Sequence, residues 1–183
     1  MKEISLHIMD IVQNSITANA TLIEVELDIR YAENTVSIMI RDNGKGMSAE
    51  MLRNVTSPFV TTRTTRRVGL GISLFKAGAE ASGGSFDIDS QEGVGTVVRA
   101  EYKLDHLDRP PIGDFAGTMH TLIVCNPEID FVITIVIDDS QDILDTREVK
   151  ESLGEDVPID TPEVSVWIKE NLDEMFKPDY IDF

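Results

Sequence analysis

Four short stretches of this 183-residue chain join side chains that can do chemistry to glycines that let a ligand come close. Asp10 and Asn14 are four residues apart, so on a helix they share one face. A carboxylate beside a carboxamide can hold a divalent cation or orient a water, and an ordinary polar helix face would read the same. Asp42-Asn43-Gly44-Lys45-Gly46-Met47 offers an acceptor-only carboxylate, suited to an exocyclic amine such as that of adenine. Gly44 and Gly46 would bring backbone up to a flat ring without a Cβ in the way, although Asp-Asn-Gly is also common turn chemistry. Gly69-Leu70-Gly71 ahead of a helix would present free N–H groups and a helix dipole to an anion. Arg63, Arg66 and Arg67 precede it, among Thr61, Thr62, Thr64 and Thr65. Guanidinium forks match phosphate oxygens and hydroxyls add neutral donors; a solvated basic loop is the plainer reading. Gly93-Val94-Gly95-Thr96 supplies a tight turn and a hydroxyl at a strand start.

These stretches need elements to position them. Ile4, Ile8, Ile11, Val12, Ser15 and Ala18 recur at helical spacing, which predicts an amphipathic helix over the first 18 residues. Residues 22–31 and 36–40 alternate apolar with polar and read as a hairpin that ends at Asp42. A short helix begins near Ser48, a Thr/Arg-rich loop runs from 57 to 67, and a second long helix covers 72–81. Two further strands, 85–89 and 96–102, flank the Gly93 turn. The expected class is α+β: a two-layer sandwich, with a mostly antiparallel mixed sheet and helices on one face.

The formal charge of −17 is uneven. Residues 1–103 hold 11 basic and 13 acidic side chains, whereas residues 104–183 hold 5 and 20. Asp108-Arg109-Pro110-Pro111 lies near the shift and reads as a stiff connector. The expected division is therefore 1–103, then a small acidic α+β module at 104–183. In that module 113–125 reads as a helix, 131–137 as a strand buried on both faces or at an interface, and Asp145-x-x-Glu148 as a capping box. Thr161-Pro162-Glu163 starts a further helix, with Val164, Trp167, Ile168 and Leu172 on one face. The acidity argues against nucleic acid or an anionic membrane as partner. Cys125, the single cysteine, makes neither an internal disulfide nor by itself a zinc site. No apolar run reaches membrane length and Met1-Lys2-Glu3 opens no signal-peptide core, so the expectation is a soluble, cytoplasmic protein.

Order and spacing together resemble the superfamily of gyrase, heat-shock chaperone, histidine-kinase and mismatch-repair ATPases (GHKL, the Bergerat fold), over residues 5–103. The resemblance implies Mg-ATP as ligand. Asn14 would coordinate the magnesium, and Asp42, with Gly44, Gly46 and Met47, would read the adenine amino group. Pro58-Phe59 with Thr61-Thr62-Arg63 resembles the phenylalanine box and lid start, so that Phe59, Thr62 and Arg63 would meet nucleotide, Arg63 at the γ-phosphate. Gly69, Leu70 and Gly71 resemble the phosphate-facing glycine box, and Thr96 the last box, near the adenine. Only nine residues separate Phe59 from Gly69, a lid length similar to that of histidine-kinase catalytic domains. Val12-Gln13-Asn14-Ser15 through Ala20-Thr21 is similar to the mismatch-repair relatives.

Asp10 stands where the hydrolytic branches usually carry the longer Glu, and would orient water if ATP is hydrolysed. Thr17 and Ala18 replace the Lys or His that kinases often place near phosphate. The expectation is that no phosphoacceptor hairpin precedes the first helix. His106-Leu107-Asp108-Arg109-Pro110-Pro111-Ile112 partly echoes the kinase histidine box, but Leu107 replaces its acid and Pro110 opposes a helix, so it reads as linker. His7 reads as a packed side chain. Two expectations stay open for the step after ATP binds. In one, the chain phosphorylates a partner protein on His or Ser, or hydrolyses ATP. In the other, ATP is a non-catalytic switch and the acidic module faces a basic protein partner.

Overall fold

In β1 (Leu22–Arg30) every second residue is buried, and Ile23, Val25, Leu27 and Ile29 form one apolar row. The residues between them, Glu24, Glu26 and Asp28 among them, point to the other face and stay half-exposed. β2 (Thr35–Asp42) pairs antiparallel with β1, Val25 opposite Ile40, and contributes the row Val36, Ile38, Ile40 and Asp42. β3 (Ser85–Gln91) and β4 (Gly95–Lys103) pair with each other, and β4 pairs with β2. A computed structural model describes residues 3–55, 70–154 and 156–177.

The sheet does not stop at residue 104. β5 (Asp130–Ile137) runs parallel to β1, with Leu22 opposite Asp130 and Ile29 opposite Ile137. β6 (Ser140–Asp145) turns back antiparallel on β5, giving six strands in the order β3-β4-β2-β1-β5-β6. Phe131, Ile133 and Ile135 continue the buried row of β1, while Val132, Thr134 and Val136 are half-exposed. β5 is thus buried on one face only, not on both; its interfaces are its two edges, against β1 and β6. Sequence reading misses β6 because its outer positions are exposed and obey no alternation. Its one local signal is Asp138-Asp139, a two-residue turn in which Asp138 takes φ 50°.

The helices cover the apolar face only. α3 (Leu70–Ala81), α1 (Ile4–Thr17), α4 (Phe115–Cys125) and α6 (Pro162–Met175) lie side by side in that order. Two shorter helices, α2 (Ala49–Val55) and α5 (Thr146–Leu153), complete the described fold. The α+β two-layer sandwich expected from the sequence is what forms. Phe75 of α3 is fully buried against Phe86 (edge-on, centroids 6.3 Å apart), Tyr102 and the ring of His7. Buried under α3, His7 is a core side chain.

The connector has a structural task. The carbonyls of Pro111 and Ile112 accept from the N–H groups of Ile4 and Ser5, both at 2.9 Å, so the linker satisfies donors that the start of α1 would leave orphaned. Arg109 is buried and donates to the carbonyls of Leu104 and Pro110. His106 sits in the same turn, its Nδ1 accepting from the Asp108 N–H at 3.1 Å, and no helix surrounds it. Asp145 caps α5 by accepting from the Arg147 N–H, and the Arg147 guanidinium holds its carboxyl below the usual carboxylate range. In α6, Val164, Ile168 and Leu172 are buried, but Trp167 is 46% exposed. The buried stripe advances by fours; Trp167 lies one residue off it and faces sideways, toward β6 and α5.

Candidate functional site

At one end of the sheet the inward rows of three neighbouring strands change from apolar to polar. Val36, Ile38 and Ile40 lead to Asp42, Phe86 and Ile88 to Ser90, and Tyr102, Ala100 and Val98 to Thr96. Thr96 is opposite Asp42 on one side and Ser90 on the other. The three polar side chains therefore form one row across β3, β4 and β2, under the C-terminal half of α1.

The Asp42 carboxylate is 9% exposed, and among the described residues no lysine or arginine is paired with it. Its Oδ2 accepts from the Ser15 hydroxyl of α1 at 2.7 Å, and its Oδ1 from the Gly44 N–H at 2.9 Å. Each oxygen keeps a lone pair, so the group can accept again from a ligand amine. A buried charge held only by neutral donors costs stability, which makes it a functional candidate and not a structural device. The Ser90 hydroxyl donates to the Gly95 carbonyl at 3.0 Å and accepts from the Met47 N–H at 2.9 Å. Its one proton is then used, so Thr96 is the donor in the 2.8 Å contact between Thr96 Oγ1 and Ser90 Oγ. Thr96 retains its acceptor lone pairs.

Glycines set how closely the backbone surrounds this row. A Cβ on Gly44 would stand 2.9 Å from both the Cβ and the carbonyl oxygen of Ala18. At Gly46, where φ is +66°, a Cβ would be driven into the Gln91 carbonyl. The Asn43 side chain faces away from the row: its Oδ1 accepts from the N–H groups of Thr21 and Leu22, and its Nδ2 donates to Thr21 Oγ1. Asn43 thus fastens the loop to the start of β1.

The other candidates gather on the adjoining surface of α1. Asn14 is half-buried and Asp10 is exposed one turn earlier; among the described residues no hydrogen bond occupies either side chain. A Cβ on Gly71 would sit 2.9 Å from the Asp10 Cβ, so the first turn of α3 abuts the helix face that carries Asp10 and Asn14. Leu70 is the first residue of α3, which begins two residues before the expected start at Ile72. The fold thus brings Asp10, Asn14 and Gly71 together, and Asp42, Gly44, Gly46, Met47 and Thr96 together. Phe59, Thr62, Arg63 and Gly69 lie outside the described residues. Sequence reading gives Ser15 and Ser90 no role at the site. The available signals are the place of Ser15 beside Asn14, and a β3 alternation that ends in a hydroxyl.

Among the described residues no cluster of three or more His, Cys, Asp or Glu side chains could hold a metal by itself. No described helix is long and apolar enough to cross a membrane.

The fold is thus a two-layer sandwich with a buried acidic group at one sheet end, glycine-lined backbone beside it and the first turn of α3 against α1. The family model described as histidine kinase-, DNA gyrase B-, and HSP90-like ATPase matches residues 2–106, and the chain belongs to that family. It is 31% identical over 86 residues to an NtrY-like sensor histidine kinase of Rickettsia conorii, covering 47% of this chain and 14% of that one. It is 26% identical over 94 residues to the sensor histidine kinase YvrG of Bacillus subtilis, covering 49% and 16%. The matched region is therefore a small part of these relatives' length. Among solved structures, the N-terminal domain of a DNA repair protein superposes with a TM-score of 0.55 at 14% identity, over 96% of this chain and 57% of that one. The Aquifex aeolicus MutL ATPase domain complexed with ADP gives 0.47 at 16% identity, over 77% and 63%.

Proposed function

We propose that this protein binds Mg-ATP, with the adenine amino group on Asp42 and the phosphates toward Gly71 in the first turn of α3 and toward Gly69 of the same glycine motif. The observation that carries the reading is the buried Asp42 carboxylate, held by the neutral donors Ser15 and Gly44 with acceptor capacity to spare. Thr96 lies beside it in register, and Gly44, Gly46 and Met47 supply the close backbone. Arg63 would meet the γ-phosphate, and Phe59 and Thr62 would meet nucleotide from the start of the lid. The donor set fits magnesium: Asn14 and Asp10 offer hard oxygens, too few for a metal site by themselves. The ion would then arrive with the phosphates, Asn14 holding it from α1. When bound, magnesium supplies neutralisation of phosphate charge.

In the reading we favour, the bound nucleotide serves a regulatory kinase or ATPase reaction with a protein partner, Asp10 orienting water if ATP is hydrolysed. Residues 1–103 form the nucleotide part and residues 104–183 the partner-facing part. One observation favours the second reading, an ATP-gated switch. Asn43, next to Asp42, is bonded to Thr21, and the Thr21 carbonyl accepts from the Asp130 N–H at 2.9 Å, so the adenine loop is two hydrogen bonds from β5. The readings separate on incubation with γ-labelled ATP, alone and with proteins encoded beside it. Label on a partner is the expected result for the kinase, and phosphate release alone for the ATPase. Binding with neither supports the switch. Acid-labile label on His106 would overturn the linker assignment of that residue.

A further inference from the structure

We propose that the cleft bounded by β6, α5 and α6 is a docking groove for an extended basic segment of a partner protein, added to β6 as a seventh strand. The proposal rests on the partner-facing reading of residues 104–183 and is independent of how the nucleotide is held. The cleft measures about 540 Å³, with Ile143, Val149, Leu153 and Trp167 along its apolar wall and Glu148 and Glu163 at its rim. β6 ends the sheet, so one edge of its backbone has no strand neighbour among the described residues. An open edge of this kind is a ready template for an incoming chain. Six residues of β6 extend about 20 Å, enough to pair with five or six residues of a guest. Ile143 and Trp167, 57% and 46% exposed, both line the cleft, and exposed apolar side chains of this size are the kind that anchor a guest.

Charge selects the guest. The cations around the cleft are already engaged: Arg147 by Asp145, Lys150 by Asp130 and Lys169 by Asp173. Asp142, Glu148 and Glu163 make no ion pair among the described residues. A Lys- or Arg-bearing strand would place cations against them on one side and apolar residues on Ile143 and Trp167. A second copy of this chain fits poorly, because two-fold pairing of β6 with itself brings the same acids together.

Trp167 is the only tryptophan of the chain, so its emission reports on the groove directly. The probe is a nine-residue peptide alternating lysine and valine, titrated into the full chain at physiological ionic strength. A saturable blue shift is expected, weakened at least tenfold by Glu148→Lys with Glu163→Lys. The same charge change placed elsewhere, Glu101→Lys with Glu128→Lys, should leave it unaltered. Alternate N-methylation of the peptide, which blocks ladder hydrogen bonds, should also weaken it at least tenfold. No shift, an equal shift with a glutamate–valine peptide, or indifference to either the reversal or the methylation overturns the proposal. So does sedimentation showing a peptide-free dimer that the peptide dissociates, since a second copy would then occupy the groove. ATP titration of the Glu148→Lys, Glu163→Lys variant, run in parallel, keeps a failure here distinct from a failure of the nucleotide assignment.

Discussion

Asp42→Asn is expected to weaken ATP binding by about 100-fold while leaving thermal stability unchanged or slightly raised. The carboxamide keeps one acceptor oxygen for the Gly44 N–H, so the loop can hold its shape. Toward a ligand amine it then presents an NH₂ group, donor against donor. The loss of a charge-assisted bond, about 1.5–3 kcal/mol, sets the scale of the effect. Stability moves the other way because the substitution removes a buried carboxylate that no cation among the described residues compensates. Isothermal titration with a parallel melting curve checks both halves. Unchanged affinity would mean that the carboxylate faces no adenine, and a large drop in melting temperature would assign Asp42 to the scaffold instead.

The second large effect is expected at Gly95, where alanine should cost about 3 kcal/mol or more and remove nucleotide binding with it. Gly95 takes φ +141°, and a Cβ there would be driven into the Asp42 carbonyl and stand 3.1 Å from the Asn43 Cα. Both obstacles are backbone of the loop that presents Asp42, so relief requires the site itself to move. Gly93→Ala is the control. Its φ is +79° but no atom lies within 4 Å of an added Cβ, so it should cost about 1 kcal/mol from backbone conformation alone. Urea unfolding of the two variants measures the difference. Equal costs would mean that the close packing around Asp42 matters less than backbone conformation.

What the sequence discloses and what it conceals divide along locality. The strands through Asp42 and Thr96 are legible because alternation is a property of neighbours, and the glycines because tight turns are local too. Helical period alone places Asp10 and Asn14 on one face. The Ser15–Asp42 bond joins residues 27 apart, and nothing local in either segment specifies it. The parallel pairing of β1 with β5 spans a still longer separation, Leu22 meeting Asp130, so a composition change near residue 104 cannot disclose that the sheet runs on. Sequence reading puts Trp167 on the wrong side of α6 because an apolar residue one step off the stripe looks the same as one within it. Three of the acids, Asp145, Glu148 and Glu163, line the cleft beside β6, at the opposite end of the strand order from β3.

The most direct test of the nucleotide assignment is a calorimetric titration of the full chain with Mg-ATP and, separately, Mg-GTP. A buried acceptor-only carboxylate rewards the adenine amino group and meets the guanine carbonyl oxygen with repulsion. One ATP per chain is expected, bound at least tenfold more tightly than GTP. Equal affinity for the two nucleotides, or binding of neither, would contradict the assignment of Asp42 to adenine.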